Sequence, residues 1–381
     1  MVYNLAVSLS RGVFTYTLTN TLFHQVIIVR KRPPLSFPQL LICISLLCAL
    51  TGALTLVASH TSPDRHFEQF TSQLFQEEMT GSTLNMHYTI ADPKTFGISE
   101  YEPVLPIYHS GQPEDSKEHC SDLLHRLDRI DPDRLSPENA YTYRLLHRSL
   151  ENDLALADFP YYNEPLSPSS GMQSQLPVLL AEYTFRTKRD VTDYLALLDQ
   201  IDDYFASLLL YEQEKAAAGF FMPACSSEKV RKQCDTIVTT EELAQGTHFL
   251  QTTFEDRLSE LQKQGLFTPE ETASLIETNE HLLATVVQPA YAALSEGLLS
   301  LETSTNASET TANAASGENN SAHNGLPKGL ALLPDGKTYY LHLLFSETGS
   351  SRSEKELVQM LLVQFQKEQS AIRNLASQSP S

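Results

Sequence analysis

The chain has 381 residues, 41% of them hydrophobic, and its 27 Lys and Arg against 47 Asp and Glu give a net charge of -20. This length and apolar content are sufficient for one large core or two ordinary ones. The acidic balance argues against nucleic acid as a partner, because phosphate binding requires a basic face.

The first 59 residues differ from the rest, because they contain no acidic residue. Residues 1–39 form a basic leader that ends shortly after Arg30, Lys31 and Arg32, and an uncharged apolar run, 40–58, follows. The run is long enough to cross a bilayer once. We interpret it as a transmembrane helix or the apolar region of a signal peptide, with a buried core helix as a third alternative. The basic flank then predicts that the body lies outside the cytoplasm, held at the cell membrane or secreted after cleavage.

Helical periodicity dominates residues 62–376. The fold class is therefore mainly α, a multi-helix array with room for one short strand or hairpin, preceded by the transmembrane or signal segment. Helix starts are predicted at Ser62-Pro63, at Ser136-Pro137 and at the capping box from Thr268 to Glu271. One long amphipathic helix is expected from Asp190 to Gly219.

The segment 303–324 contains Ser, Thr, Asn, Ala and Gly and no large apolar residue. Such a composition cannot bury a core face. It predicts a disordered loop between helices, with an interdomain linker as the alternative.

Near the end of the chain, Pro334, Asp335 and Gly336 have the composition of a turn. The following residues, 339–345 (YYLHLLF), fit either a short strand or the start of a helix. Ser353 and Glu356 then form a predicted capping box for a last helix.

The sequence contains no recognisable catalytic motif. His147 with Glu151, and Glu280 beside His281, come closest to a metal pattern, but neither pair supplies the three ligands that a catalytic zinc requires. The sequence therefore predicts no catalytic residue, no metal ligand and no cofactor in this chain. The three cysteines outside the apolar run lack zinc-ribbon or redox spacing and favour free thiols.

Three stretches, 82–98, 164–201 and 329–357, resemble in order the landmarks of a bacterial family of unknown function numbered eight-eight-five. The landmarks are a His-Tyr-x-x-x-Asp-Pro motif at His87, a Leu-Pro followed by Tyr-x-Phe at Tyr183, and a Pro-x-Gly-x-x-Tyr-Tyr turn ending at Tyr340. Members of that family resemble helical zinc metallopeptidases. The resemblance implies that a full-length relative binds zinc on a later His-Glu helix, which this chain does not contain.

The expected function is thus that of the N-terminal portion of an exported or membrane-anchored metallopeptidase-like protein, inactive alone. Its expected partners are a peptide substrate or the missing C-terminal part, and residues 40–58 would contact the membrane. In helical peptidases a strand beside the cleft commonly aligns the substrate, so Tyr339 and Tyr340 are the predicted substrate-binding residues.

The alternative is a non-catalytic extracytoplasmic helical module that binds a peptide or partner. An exposed apolar surface for the missing part would favour the first function. A polar, closed final helix would favour the second.

Overall fold

The computed structural model describes residues 5–10, 13–20, 23–29, 62–316 and 329–378. The predicted segment 40–58 lies outside the described residues, as does the last part of the predicted loop. The chain divides into two units, Met1–Arg65 and His66–Ser381.

The first unit contains a small sheet that the sequence analysis did not predict. Strands β1 (Leu5–Ser10), β2 (Val13–Asn20) and β3 (Phe23–Val29) are antiparallel in the order β1-β2-β3. Ser10 pairs with Val13 and Asn20 pairs with Phe23. The strands are rich in β-branched and aromatic residues, which favour extended backbone.

The second unit confirms the predicted multi-helix array. Its helices are α1 (Pro63–Thr80), α2 (Thr83–Thr89), α3 (Gln112–Leu127), α4 (Pro137–Leu156), α5 (Met172–Glu182), α6 (Lys188–Leu198), α7 (Ile201–Ala217), α8 (Ala224–Ile237), α9 (Thr240–Gln245), α10 (Phe249–Lys263), α11 (Pro269–Leu282), α12 (Gln288–Ser316), α13 (Gly336–Thr348) and α14 (Glu354–Gln378).

The predicted helix starts are confirmed by their caps. The Ser136 side chain accepts from the backbone N–H of Asn139, and Thr268 and Glu271 form a complete capping box. The helix predicted from Asp190 to Gly219 is two helices, α6 and α7, because the backbone leaves the helical conformation at Gln200. The Gln200 side chain contacts the loop before α3. Its Nε2 donates to Pro103 O, and its Oε1 accepts from the Leu105 N–H.

The main core lies where α12 packs against α7 and α8. α12 is preceded by a π turn, Leu283–Val287, which joins it to α11 just before Pro289. A proline lacks the N–H that a helix requires, so a local change of hydrogen bonding is expected there. Buried core residues on this run include Leu283, Val287, Tyr291, Leu294 and Leu298. Each such side chain stabilises the fold by roughly 1.5–3 kcal/mol.

Among the described residues, the helical run Pro269–Thr305 has the length and apolar composition of a membrane span. The core contacts described above account for its apolar residues equally well.

α12 also enters the segment that we expected to be a loop. The helix continues to Ser316, so residues 303–316 are helical here, and the disordered loop expected over 303–324 stays a prediction. Extending an existing helix costs less free energy than starting one. Within this extension the hydroxyls of Thr303 and Thr305 donate hydrogen bonds to Leu299 O and Leu301 O.

Glu212 on α7 is a fully buried carboxylate. Lys215 Nζ, also buried, lies 4.0 Å from it but bonds Glu164 Oε2 at 2.8 Å and Asn163 O at 3.0 Å. Neither oxygen of Glu212 accepts a hydrogen bond from the described part of the chain. Burial raises the pKa of Glu212 from 4.5 to about 7, although Lys215 opposes the shift.

We therefore predict that Glu212 destabilises the fold at high pH. Because the folded pKa exceeds the unfolded one, its contribution is most favourable below pH 4.5 and is lost as the pH rises through about 7. Glu212→Gln should raise the free energy of unfolding at pH 8 by about 2 kcal/mol relative to its effect at pH 5. Urea unfolding at both pH values measures this difference. Exposed Glu296→Gln on α12 is the control, and equal effects of the two variants would contradict the prediction.

Candidate functional site

A cavity of about 580 Å³ lies between α2, the turn after it and the start of α6. Residues from two of the three family landmarks line it. His87 comes from the first landmark, and Arg186 and Asp190 come from the second. The fold thus brings together two stretches that are far apart in the sequence.

His87 is held in a defined orientation although it is almost fully buried. Its ring stacks on Tyr183, with 3.6 Å between ring centroids and 12° between ring planes. Its Nε2 accepts a hydrogen bond from the Thr184 N–H at 3.1 Å. Burial lowers the pKa of His87 from 6.5 to about 4, and nearby Asp190 offsets this only in part. The imidazole is therefore neutral at pH 7, and its single proton is on Nδ1.

Asp190 faces His87 while it caps α6. Its Oδ2 accepts from the backbone N–H groups of Arg186 and Thr187 and from the Thr187 hydroxyl, and the Thr187 hydroxyl accepts the Asp190 N–H in return. Asp190 Oδ1 is 3.8 Å from His87 Nδ1. This separation exceeds a hydrogen bond, so the two groups face each other across a gap.

The wall of the cavity is completed by a second polar group. Tyr101 donates its hydroxyl to Asp193 Oδ2 at 2.6 Å, and Arg189 donates from Nε to Asp193 Oδ1 at 2.7 Å. The Arg189 guanidinium also lies over the Tyr101 ring and donates to the Tyr101 carbonyl. The positive charge of Arg189 is therefore balanced by Asp193, and the loop after α2 is held in place by the bonds of Tyr101.

Arg257 on α10 holds the backbone behind the site. It donates to Leu180 O at 3.0 Å, to Tyr183 O and to Thr253 O at 2.8 Å. Its guanidinium lies 4.5 Å from the centroid of the Phe185 ring. The carbonyls of residues 180 and 183 belong to the end of α5, where Leu180 O also accepts the backbone N–H of Tyr183.

The predicted substrate-binding residues, Tyr339 and Tyr340, lie elsewhere. Both are on α13, so residues 339–345 form a helix and the strand alternative is wrong. Tyr339 packs against Tyr162 and Phe159, with centroid distances of 4.8 and 5.6 Å, whereas Tyr340 is exposed. A helix cannot pair with an extended substrate through its backbone. Substrate binding by the two tyrosines stays a prediction. It would have to occur through their side chains, because the helical backbone cannot pair with the substrate.

The turn predicted before α13 has its positive φ, +52°, at Asp335. Gly336 is required because a Cβ there would lie 1.8 Å from Leu330 O. The turn is therefore fixed by a close backbone approach.

Sequence analysis missed the His87–Asp190 pair, although it quoted both stretches as landmarks. Among the described residues, no group of three His, Cys, Asp or Glu side chains is arranged to hold a metal ion. Cys120, Cys225 and Cys234 are free thiols, as the spacing favours.

The fold and landmarks together define a helical protein of a bacterial family. The family model described as "Bacterial protein of unknown function (DUF885)" matches residues 94–381, so the chain belongs to the DUF885 family. No curated protein matches the chain.

Among solved structures, the chain is similar to "the putative lipoprotein from Colwellia psychrerythraea", with 16% sequence identity and a TM-score of 0.55. The similarity covers 80% of this chain and 48% of that chain, so this chain spans about half the length of the protein it matches. At this identity the likeness concerns the fold alone.

We predict that Arg257→Leu lowers the free energy of unfolding by about 2–4 kcal/mol, because it leaves the carbonyls of Leu180 and Tyr183 without their charged donor. Arg257→Lys should recover only part of this loss. The guanidinium donates from Nε to Thr253 O and from Nη1 to Leu180 O and Tyr183 O, and we call this set of bonds the fork. An ammonium cannot reproduce its planar geometry. Urea unfolding followed by circular dichroism measures both. The control is Arg144→Leu at an exposed position, with an expected change below about 0.5 kcal/mol. Equal losses in the two arginine-to-leucine variants would contradict the role of the fork.

Proposed function

We propose that this chain is the N-terminal helical portion of an exported or membrane-anchored, metallopeptidase-like DUF885 protein, and that it is inactive alone. In this proposal the zinc ligands and the catalytic glutamate belong to a segment equivalent to the part of the Colwellia protein that the chain does not span. The helical body described here would support that segment and contribute to its substrate cleft.

The observation that carries the proposal is an apolar stripe along α14. Val358, Leu361, Phe365 and Ile372 follow one another at helical spacing and are 48%, 70%, 65% and 66% exposed. Monomeric soluble proteins rarely leave such a continuous stripe in water. An exposed apolar surface of this kind favours a docking site for a further part of the protein over a closed module.

The occupant that we propose for the stripe is the remaining part of a DUF885 chain. The similar solved chain is about twice as long as the portion that this chain covers, and in this proposal the equivalent of the remaining portion packs on α14. An apolar helical face is the complement that this stripe requires.

Location outside the cytoplasm is supported by two features. The basic leader and the apolar run 40–58 match an anchor or a signal peptide. The solved protein with the similar fold is described as a lipoprotein. We propose that residues 40–58 contact the membrane, and that the acidic body has no nucleic acid partner.

The alternative function is a non-catalytic module that binds a peptide or another partner. It is favoured by α13, where Tyr340 and Leu341 are 37% and 44% exposed on a helix anchored by Asn152. Tyr339 and Tyr340 remain the proposed substrate-contacting residues in either function.

We predict that the purified chain contains less than about 0.1 zinc per molecule and hydrolyses no peptide, because the proposed zinc ligands belong to another segment. Metal analysis by mass spectrometry and a mixed fluorogenic peptide library provide the measurements. One tightly bound zinc per chain, with hydrolysis abolished by a chelator and restored by zinc, would overturn the proposal.

We also predict that a photo-crosslinking amino acid at position 365 captures a DUF885 C-terminal segment in native cells. The same amino acid at Lys367, on the opposite face of α14, is the matched control and should capture none of it. Mass spectrometry of the crosslinked peptides identifies the partner. Capture of lipid, of a second copy or of an unrelated protein from position 365 would contradict the proposed docking.

A further inference from the structure

The cavity beside His87 has a polar arrangement that the proposed docking function does not use. His87 is 7% exposed, and its Nδ1 and Asp190 Oδ1 both belong to the cavity lining residues, 3.8 Å apart. Because Nε2 accepts the Thr184 N–H, Nδ1 is a donor, and no described residue places an acceptor within hydrogen-bonding distance of it. The other oxygen of Asp190 is already occupied by the cap of α6.

A group that fills this gap must accept one hydrogen bond and donate another. It accepts from His87 Nδ1–H and donates to Asp190 Oδ1. A hydroxyl has both capacities, whereas a carboxylate can only accept and an ammonium can only donate. Because Nδ1 and Oδ1 are 3.8 Å apart, one oxygen atom at about 2.8 Å from each would bridge both from a position beside the line that joins them.

The cavity lining also contains two cations that no described residue pairs, together with the exposed carboxylate of Asp92. Arg186 and Lys94 line it and are exposed, and neither side chain forms an ion pair within the described part of the chain. Arg189, the third cation of the lining, is already engaged by Asp193 and the Tyr101 carbonyl. Two exposed cations at the edge of a cavity complement a ligand anion.

We propose that this cavity binds a small hydroxycarboxylate, with its hydroxyl between His87 and Asp190 and its carboxylate at Arg186 and Lys94. The volume of about 580 Å³ is within the range of small-molecule sites, roughly 300–1,000 Å³. The inference is independent of the proposed function, because it concerns residues far in sequence from α14 and requires no second segment.

The test uses ligand pairs that differ by one hydroxyl. Isothermal titration calorimetry of the full chain in mild detergent compares L-malate with succinate and citrate with tricarballylate. At least one hydroxylated member should bind about tenfold more tightly than its deoxy partner, because the deoxy ligand leaves the His87 donor and the Asp190 acceptor unpaired.

Variants separate the site from general charge effects. Arg186→Gln should weaken the hydroxylated ligand about tenfold, while Arg144→Gln, an exposed arginine on α4, should leave its affinity unchanged. Both positions are exposed, so folding is expected to persist and is checked by circular dichroism. Absence of binding by all four ligands below about 5 mM, equal affinity within each pair, or equal effects of the two variants would each overturn the proposal.

Discussion

The contact on which the candidate site depends is the fork of Arg257. A single guanidinium from α10 donates to the carbonyls of Leu180 and Tyr183 at the end of α5, and it lies against the rings of Phe185 and Tyr194. The guanidinium adds these donors to the backbone bond from the Tyr183 N–H to Leu180 O. It fixes the backbone of residues 180–185, and this backbone in turn supplies the ring under His87 and the N–H that holds its Nε2. The geometry of the cavity is thus set by a residue that does not line it.

Burial decreases from the central helices toward the end of the chain. α12 packs on α7 and α8, and the largest group of fully buried side chains lies there. α13 is attached to α4 through Asn152, which bonds His342 and Ser346, and through Arg148 over the Phe345 ring. α14 is exposed over nearly all its length. Local stability follows buried apolar contacts, so the elements that carry the proposed docking face are those least fixed by the core.

The sequence predicted those features that depend on neighbours along the chain. The caps at Ser136 and Thr268 use residues three positions apart, and both appear as predicted. The predictions that failed depended on distant contacts. The amphipathic pattern is continuous through Gln200, yet the helix is interrupted there, where the side chain bonds residues 103 and 105. Residues 339–345 alternate in a way that fits a strand, yet they fold as a helix, with Tyr339 packed against Tyr162 and Phe159. The His87–Asp190 pair could not be derived for the same reason, because tertiary packing alone brings it together.

The stability of α14 and its proposed docking are physically linked. Ser353 and Glu356 close its first turn with the predicted capping box, which satisfies backbone groups but buries no apolar surface. A helix of 25 residues with little tertiary contact relies on propensity and such local bonds, whereas the stripe through Leu361 and Phe365 can contribute stability only when another surface covers it. Covering the stripe would therefore order the helix and bury its apolar side chains in one step, so the free energy of docking also stabilises the fold of this part of the chain.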